Sequence, residues 1–344
     1  MRTRVGELVL ANPVIVGSGE PVMTESGIRA ALAAGAAGVI AKSANERADA
    51  ARQLNRADYA FLKDASLFCR SGLVEREPGE WFTALASIDR DARRDGRFVA
   101  ASVVLASIEG AVELATLAKR AGLRVFELNV GAPHASEAKP GAIVQETDPA
   151  RLRALVAQVR AVTGGMQLWV KLSGLSASLP ALAVAASEAG ADAVCMMGRF
   201  MAMVPDLDTL APLLGTSGAY GGGWALPIVC RFLALSRRSV GPDYPLLGTN
   251  GVRNGADVVR MALAGASAIE VLSVVMQEGF AALTRIVAEL DAFLVARGLR
   301  FADLVGRAAD TLQSYADQPE RPGRWRDFVP AETLGWVVRR LETR

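Results

Sequence analysis

Pro245-Leu246-Leu247-Gly248-Thr249-Asn250-Gly251-Val252, a helix-like run from Gly255 to Ala264, and then Ala268-Ile269-Glu270-Val271-Leu272-Ser273 together decide how this chain reads. The unit is a buried strand, a glycine turn, a helix and a second buried strand. Near the end of a 344-residue chain it fits the seventh and eighth strands of a (β/α)8 barrel. Loops after those two strands often hold a phosphate. Gly251 lets backbone N–H groups approach an anion that a bulkier residue would block. The expectation is a phosphorylated ligand or cofactor at the barrel top.

Working outward, strand-like runs fall at 13–17, 38–42, 97–104, 124–130, 167–171, 192–197, 245–249 and 268–273. Helix-like runs lie at 24–34, 107–120, 148–162, 178–189, 225–237, 254–264 and 276–297. Continuous apolar strands separated by helices mark a parallel sheet covered on its outer face. The fold class is therefore α/β, a (β/α)8 TIM barrel. Several helix–strand joints read Ala-Gly, at Ala34-Gly35, Ala121-Gly122, Ala189-Gly190 and Ala264-Gly265, where glycine ends the helix in the left-handed region. Two parts exceed a minimal barrel of residues 1–304. One is an insertion at 44–95, expected over the barrel top. The other is an extension at 305–344, expected to pack on the barrel or on a second subunit.

Composition narrows the class. The chain is 51% hydrophobic, enough for a large core, and its net charge of +2 gives no electrostatic reason to expect nucleic acid or an anionic membrane. Cys69, Cys195 and Cys230 are too far apart for a zinc or iron–sulfur motif, which fits reduced thiols in a cytoplasmic protein without a metal. There is no signal-peptide core and no apolar run smooth enough to span a bilayer.

Lysine occurs only at 42, 63, 119, 139 and 171, and arginine supplies the other basic residues. Lys42 and Lys171 each end an apolar run, Gly38-Val39-Ile40-Ala41-Lys42 and Leu168-Trp169-Val170-Lys171. They read either as edge charges or as two ammonium groups facing a bound anion or an electron-rich ring. The matching positions favour the second reading, because barrel strand ends carry the chemistry.

These segments, taken together, resemble the flavin-dependent dihydroorotate dehydrogenase family, especially its soluble class 1 branch. The features run in order from Asn12-Pro13-Val14-Ile15-Val16-Gly17-Ser18-Gly19 through Ala41-Lys42-Ser43 to Glu127-Leu128-Asn129-Val130-Gly131-Ala132-Pro133. They continue with Val170-Lys171-Leu172, Tyr220-Gly221-Gly222-Gly223, Gly248-Thr249-Asn250-Gly251-Val252 and Ala264-Gly265-Ala266, ending at Leu272-Ser273. The resemblance implies FMN, a small-molecule substrate and a homodimer. It places Ser18 and Gly19 along the flavin edge, Lys42 and Ser43 at the flavin and ribityl chain, and Asn129 near flavin or substrate. Lys171 would stabilise the anionic reduced ring. Gly222, Gly223, Gly251 and Ser273, with Asn250 and Leu272 beside them, would cradle the phosphate.

The chain also departs from that pattern. The class 1 base, a cysteine three residues after the strand-four asparagine, is Ala132 here, and the later loop Gly141-Ala142-Ile143-Val144-Gln145 holds no base. The polar position after the proline is His134, the only histidine. A neutral imidazole is a competent acid or base, so His134 is the first candidate for proton transfer, with Cys69 and Ser71 next. Arg70 and Arg199 could grip a substrate carboxylate through a bidentate fork. The expected function is an FMN-dependent oxidoreductase acting on something other than dihydroorotate. Two rival readings are a tRNA-dihydrouridine-synthase-like reductase and a catalytically silent flavin-binding or partner subunit.

Overall fold

The chain begins with an antiparallel hairpin, β1 (Thr3–Val5) and β2 (Leu8–Leu10), with Thr3 opposite Leu10. Next come β3 (Val14–Val16), β4 (Gly38–Ile40), β5 (Asp58–Phe61), β6 (Leu67–Arg70), β7 (Phe98–Val104) and β8 (Val125–Asn129). Then follow β9 (Gln167–Lys171), β10 (Ala193–Met196), β11 (Phe200–Ala202), β12 (Gly218–Gly221), β13 (Leu246–Thr249) and β14 (Ala266–Val271). The computed structural model describes residues 1–47, 58–104, 107–131 and 147–318.

β3, β4, β7, β8, β9, β10, β13 and β14 close into an eight-stranded barrel in which all neighbours are parallel. This is the expected (β/α)8 fold. Its helices are fixed by local chemistry. The side chains of Thr24, Ser107 and Asn254 each accept an N–H of the first turn at 3.0–3.1 Å, and each carries one of the outer helices. Gly35, Gly122, Gly190 and Gly265, the glycines of the Ala-Gly joints, take φ of 105°, 88°, 95° and 117°, where a Cβ is strained.

Boundaries shift in places. The last strand starts at Ala266 and ends at Val271, so Leu272 and Ser273 lie beyond it. The run expected at 276–297 is two helices, Ser273–Glu278 and Ala281–Arg297, divided at Gly279 (φ 74°). Five further elements lie outside the expected runs. In the insertion these are β5, β6 and the helix Pro78–Arg93. Past β10, β11 and β12 join β6 and β5 in a four-stranded antiparallel sheet ordered β11-β12-β6-β5. Residues Met1–Asp310 form one compact unit and Thr311–Arg344 a second. Among the described residues, no helix is long and apolar enough to cross a membrane.

Alternation along the strands sorts side chains between two cores. Phe126, Leu128, Leu168, Val170, Ile269 and Val271 face the outer helices. Val5, Leu10, Ile15, Ile40, Phe98, Val125, Trp169, Cys195 and Leu247 pack with one another inside the barrel. The hairpin thus supplies Val5 and Leu10 to the inner core. Phe98 meets Trp169 edge to face at 5.3 Å, and each buried ring contributes roughly 1.5–3 kcal/mol or more. The same parity makes Ser102, Glu127, Lys171 and Glu270 inward-facing. Polar chemistry therefore sits above an apolar floor.

Candidate functional site

A cleft opens at the carboxyl ends of the barrel strands, with about 1010 Å³ of empty space, open solvent included. Its wall is made by strand-end residues: Gly17 and Ser18 after β3, Lys42 and Ser43 after β4, Val104 and Asn129 at the ends of β7 and β8, and Lys171 at the end of β9. Gly198 and Arg199 follow β10, and Thr249, Asn250 and Gly251 follow from β13. Glu270, Leu272 and Ser273 close the circle at β14. The antiparallel sheet adds Leu67, Cys69, Ala219, Tyr220 and Gly221, and Ser71 follows it. Residues of the insertion thus form part of the cavity wall. Tyr220 stacks on Trp224 with centroids 5.1 Å apart.

Ser18, Lys42, Ser43, Asn129, Lys171, Asn250, Gly251, Leu272 and Ser273, for which the family resemblance implies cofactor contacts, share one cavity with Cys69, Ser71 and Arg199. Gly19, Arg70, Gly222 and Gly223 are not among its lining residues. A Cβ on Gly19 would meet Leu272 Cδ1 at 2.4 Å, and the Gly222 N–H donates to Asn250 Oδ1 at 3.3 Å, so both sit directly behind the wall. Gly223 opens the short turn ahead of the helix Leu226–Val240. Arg70 ends β6, between two lining neighbours. His134, Ala132 and the segment 141–145 fall outside the described residues.

Gly251 is required where it stands. Its φ is 99°, and a Cβ there would lie 2.6 Å from the Leu226 backbone nitrogen. The loop after β13 and the first turn of the helix Leu226–Val240 thus meet main chain to main chain beside the cavity. A Cβ on Gly17 would meet Glu270 Oε2 at 3.1 Å, so glycine leaves room for the charged floor.

That floor is Lys171 between two glutamates. Its ammonium hydrogen-bonds Glu270 and lies 3.7 Å from Glu127 Oε2. Glu127 and Glu270 are 0% exposed. Burial, and then the Glu270 carboxylate, push the Glu127 pKa up to about 8 against the pull of Lys171. Burial works against charge on Lys171, but Glu127 and Glu270 outweigh it and raise its pKa. Glu127 Oε2 and Glu270 Oε1 have no hydrogen-bond donor, whereas Ser102 Oγ donates to Glu127 Oε1 at 2.8 Å.

A second cluster stands on the wall. Lys42 Nζ donates to Glu20 Oε1 at 2.7 Å and to Ser71 Oγ at 2.8 Å, and Ser71 Oγ donates to the same Glu20 oxygen at 2.7 Å. Burial works to raise the Glu20 pKa, but Lys42 and Ser71 hold it below the ordinary value. Burial lowers the Lys42 pKa despite Glu20. Burial and Glu20 together push the Cys69 thiol up to about 11, so it keeps its proton at neutral pH.

Glu20, Ser102, Glu127 and Glu270 escape a reading by motif. For Glu127 and Glu270 a signal did exist: each is a lone carboxylate in an apolar strand, at the inward parity that Lys171 shares. For Glu20 and Ser102 the local sequence carries none.

A family model described as dihydroorotate dehydrogenase matches residues 1–294. Among curated proteins, the catalytic subunit of dihydroorotate dehydrogenase B (NAD(+)) from Methanocella arvoryzae is 29% identical over 277 residues, spanning 79% of this chain and 86% of its own. The corresponding subunit from Desulforudis audaxviator is 33% identical over 216 residues, 60% of this chain and 68% of its own. A putative dihydroorotate dehydrogenase A (fumarate) from Solibacter usitatus is 36% identical over 188 residues, 54% of this chain and 60% of its own.

Proposed function

The chain belongs to the dihydroorotate dehydrogenase family, and on that premise we propose that it is an FMN-dependent oxidoreductase acting on a small organic substrate other than dihydroorotate. The observation that carries this reading is the meeting of Lys171, Gly251 and Ser273 on one strand-end cavity. The residues present suit the group. Gly251 keeps main chain rather than a side chain beside the cavity, as a phosphate needs, and Lys171 brings the floor a cation. Bound there, FMN supplies an acceptor or donor of hydride.

The chain's own residues do the rest. Gly251, Asn250 and Ser273 would hold the phosphate end, and Lys171, Asn129, Lys42 and Ser43 the ring end. Arg199, on the same wall, would bind a substrate carboxylate. Among the described residues, Ser71 is the placed candidate for proton transfer. Its hydroxyl accepts from Lys42 and hands a hydrogen bond to Glu20, whose carboxylate can take the proton. The Cys69 thiol, held protonated, can donate but not abstract. His134 keeps its candidacy from the sequence. Ala132, where the resemblance implies a cysteine base, supports the exclusion of dihydroorotate. A cytoplasmic homodimer completes the reading.

Purified protein should be yellow, release FMN on denaturation and remain oxidised under anaerobic dihydroorotate. A colourless preparation that takes up no added FMN overturns the cofactor. Rapid bleaching by dihydroorotate overturns the substrate clause. A tRNA gel shift with steep salt dependence would revive the nucleic-acid reductase reading. Yellow protein that no acceptor reoxidises after reduction would favour a silent subunit.

A further inference from the structure

Two carboxylates and one ammonium sum to −1, and all three groups lie in the barrel lumen with side chains at most 8% exposed. A bare −1 in that setting is costly, and two carboxylate oxygens, Glu127 Oε2 and Glu270 Oε1, are left without a donor. One added proton brings the cluster to zero. The structure also contains a route for that proton. Ser102 Oγ donates to Glu127 Oε1 at 2.8 Å, Ser43 Oγ lies 2.9 Å from Ser102 Oγ, and Ser18 Oγ lies 3.0 Å from Ser43 Oγ. Ser18 and Ser43 line the cavity, whereas Glu127 does not.

We propose that Glu127 is a proton store beneath the cavity, filled and emptied through Ser102, Ser43 and Ser18. Filling is a pure proton transfer. A hydronium at the cavity gives its proton to Ser18 and is left as water, each hydroxyl passes its own proton inward, and the O–H bond broken at Ser102 is replaced by one formed at Glu127 Oε1. No electrons move. The step takes the cluster from −1 to 0, so the Lys171 charge is no longer outweighed when an anion lies above it. Glu127 therefore sets how much help Lys171 gives such an anion, without touching it. For the identity of that anion the inference rests on the proposed flavin; for the proton it rests on the protein alone. The titratable groups facing Glu127, among the described residues, are Glu270 from β14, Lys171 from β9 and Cys195 from β10, whose thiol burial keeps protonated. The position of the Glu127 pKa, raised to about 8, agrees with a store that works near neutrality.

The test uses the full chain freed of ligand and labelled with ¹³C-glutamate, followed by infrared spectroscopy. A protonated glutamic-acid carbonyl band should disappear with a midpoint near about pH 8 and be absent in Glu127→Gln. Glu270→Gln removes the neighbouring carboxylate and should move the midpoint down. Hydrogen–deuterium exchange of the band should slow by about a hundredfold in Ser102→Ala, the scale of a lost proton carrier. A wild type with no titrating band overturns the proposal. So does a band that survives in Glu127→Gln, an upward midpoint in Glu270→Gln, or unchanged exchange in Ser102→Ala. If Glu127→Gln does not fold, the Glu270→Gln shift and the Ser102→Ala rate still decide it. These results are independent of colour, so failure of the flavin reading stays distinguishable. In the flavin-loaded protein, reduction should take up fewer protons from a pH-indicator dye in Glu127→Gln than in wild type.

Discussion

Replacing Lys171 with methionine should destabilise this barrel more than any conservative core change, and by an amount that grows with pH. Lys171 hydrogen-bonds Glu270 and stands 3.7 Å from Glu127 Oε2, and neither carboxylate is exposed. With Glu127 protonated, the three groups sum to zero. Methionine removes the positive charge and leaves Glu270 with none to oppose it. Breaking a buried pair in this way costs about 3–5 kcal/mol. Lys171 also pulls the Glu127 pKa down, so without it Glu127 goes on drawing a proton from solvent above about pH 8, which costs up to about 1.4 kcal/mol more for each unit of rising pH. The loss should therefore be least in acid and steepen toward alkaline pH. Urea unfolding of ligand-free protein, read by far-UV circular dichroism and by the fluorescence of Trp169 among the tryptophans, measures it at several pH values. The decisive arm is Lys171→Met/Glu270→Gln, which removes both charges and should recover most of the stability lost in the single variant. A single variant that loses less than about 1 kcal/mol refutes the argument, as does a double variant no better than the single.

Three further outcomes follow from the geometry. Burial and the Glu270 carboxylate raise the Glu127 pKa from an ordinary 4.5 to about 8, so the native state holds the extra proton and its stabilising effect is lost as pH climbs from about 4.5 to about 8. Wild-type stability should fall by up to about 1.4 kcal/mol per pH unit across that interval, and a Glu127→Gln slope as steep as wild type would contradict this. Gly251→Ala forces a Cβ into the space before Leu226 N and a residue other than glycine to φ 99°, so FMN affinity measured by fluorescence quenching should drop about tenfold or more. An unchanged dissociation constant would remove Gly251 from the phosphate end. Once a substrate is found, Ser71→Ala should lower kcat by about a hundredfold while flavin content stays at wild-type level, and undiminished turnover would shift the proton-transfer role to His134.

The local sequence carried the barrel because its determinants are local. Eight apolar runs, first-turn residues such as Ser107 and Asn254, and glycines at helix ends act through neighbours a few positions away. Ordered motifs such as Asn12–Gly19 and Gly248–Val252 carried the family for the same reason. Lys171 stood out because a cation at the end of an apolar strand is unusual. Its partners did not. Glu127 and Glu270 lie 44 and 99 positions away in sequence and meet it only because the sheet closes on itself with a register that faces all three inward. Likewise Glu20, Lys42 and Ser71 converge from three separate segments, and Ser18 after β3, Ser43 after β4 and Ser102 on β7 form a chain. The insertion sheet had to be seen as well, since β6 and β12 pair antiparallel across segments far apart in the chain. Sequence pattern thus set the strands, the helices and the cavity's address. Barrel closure decided which charges share a low-dielectric space, and with it the state of the proton beneath the cavity.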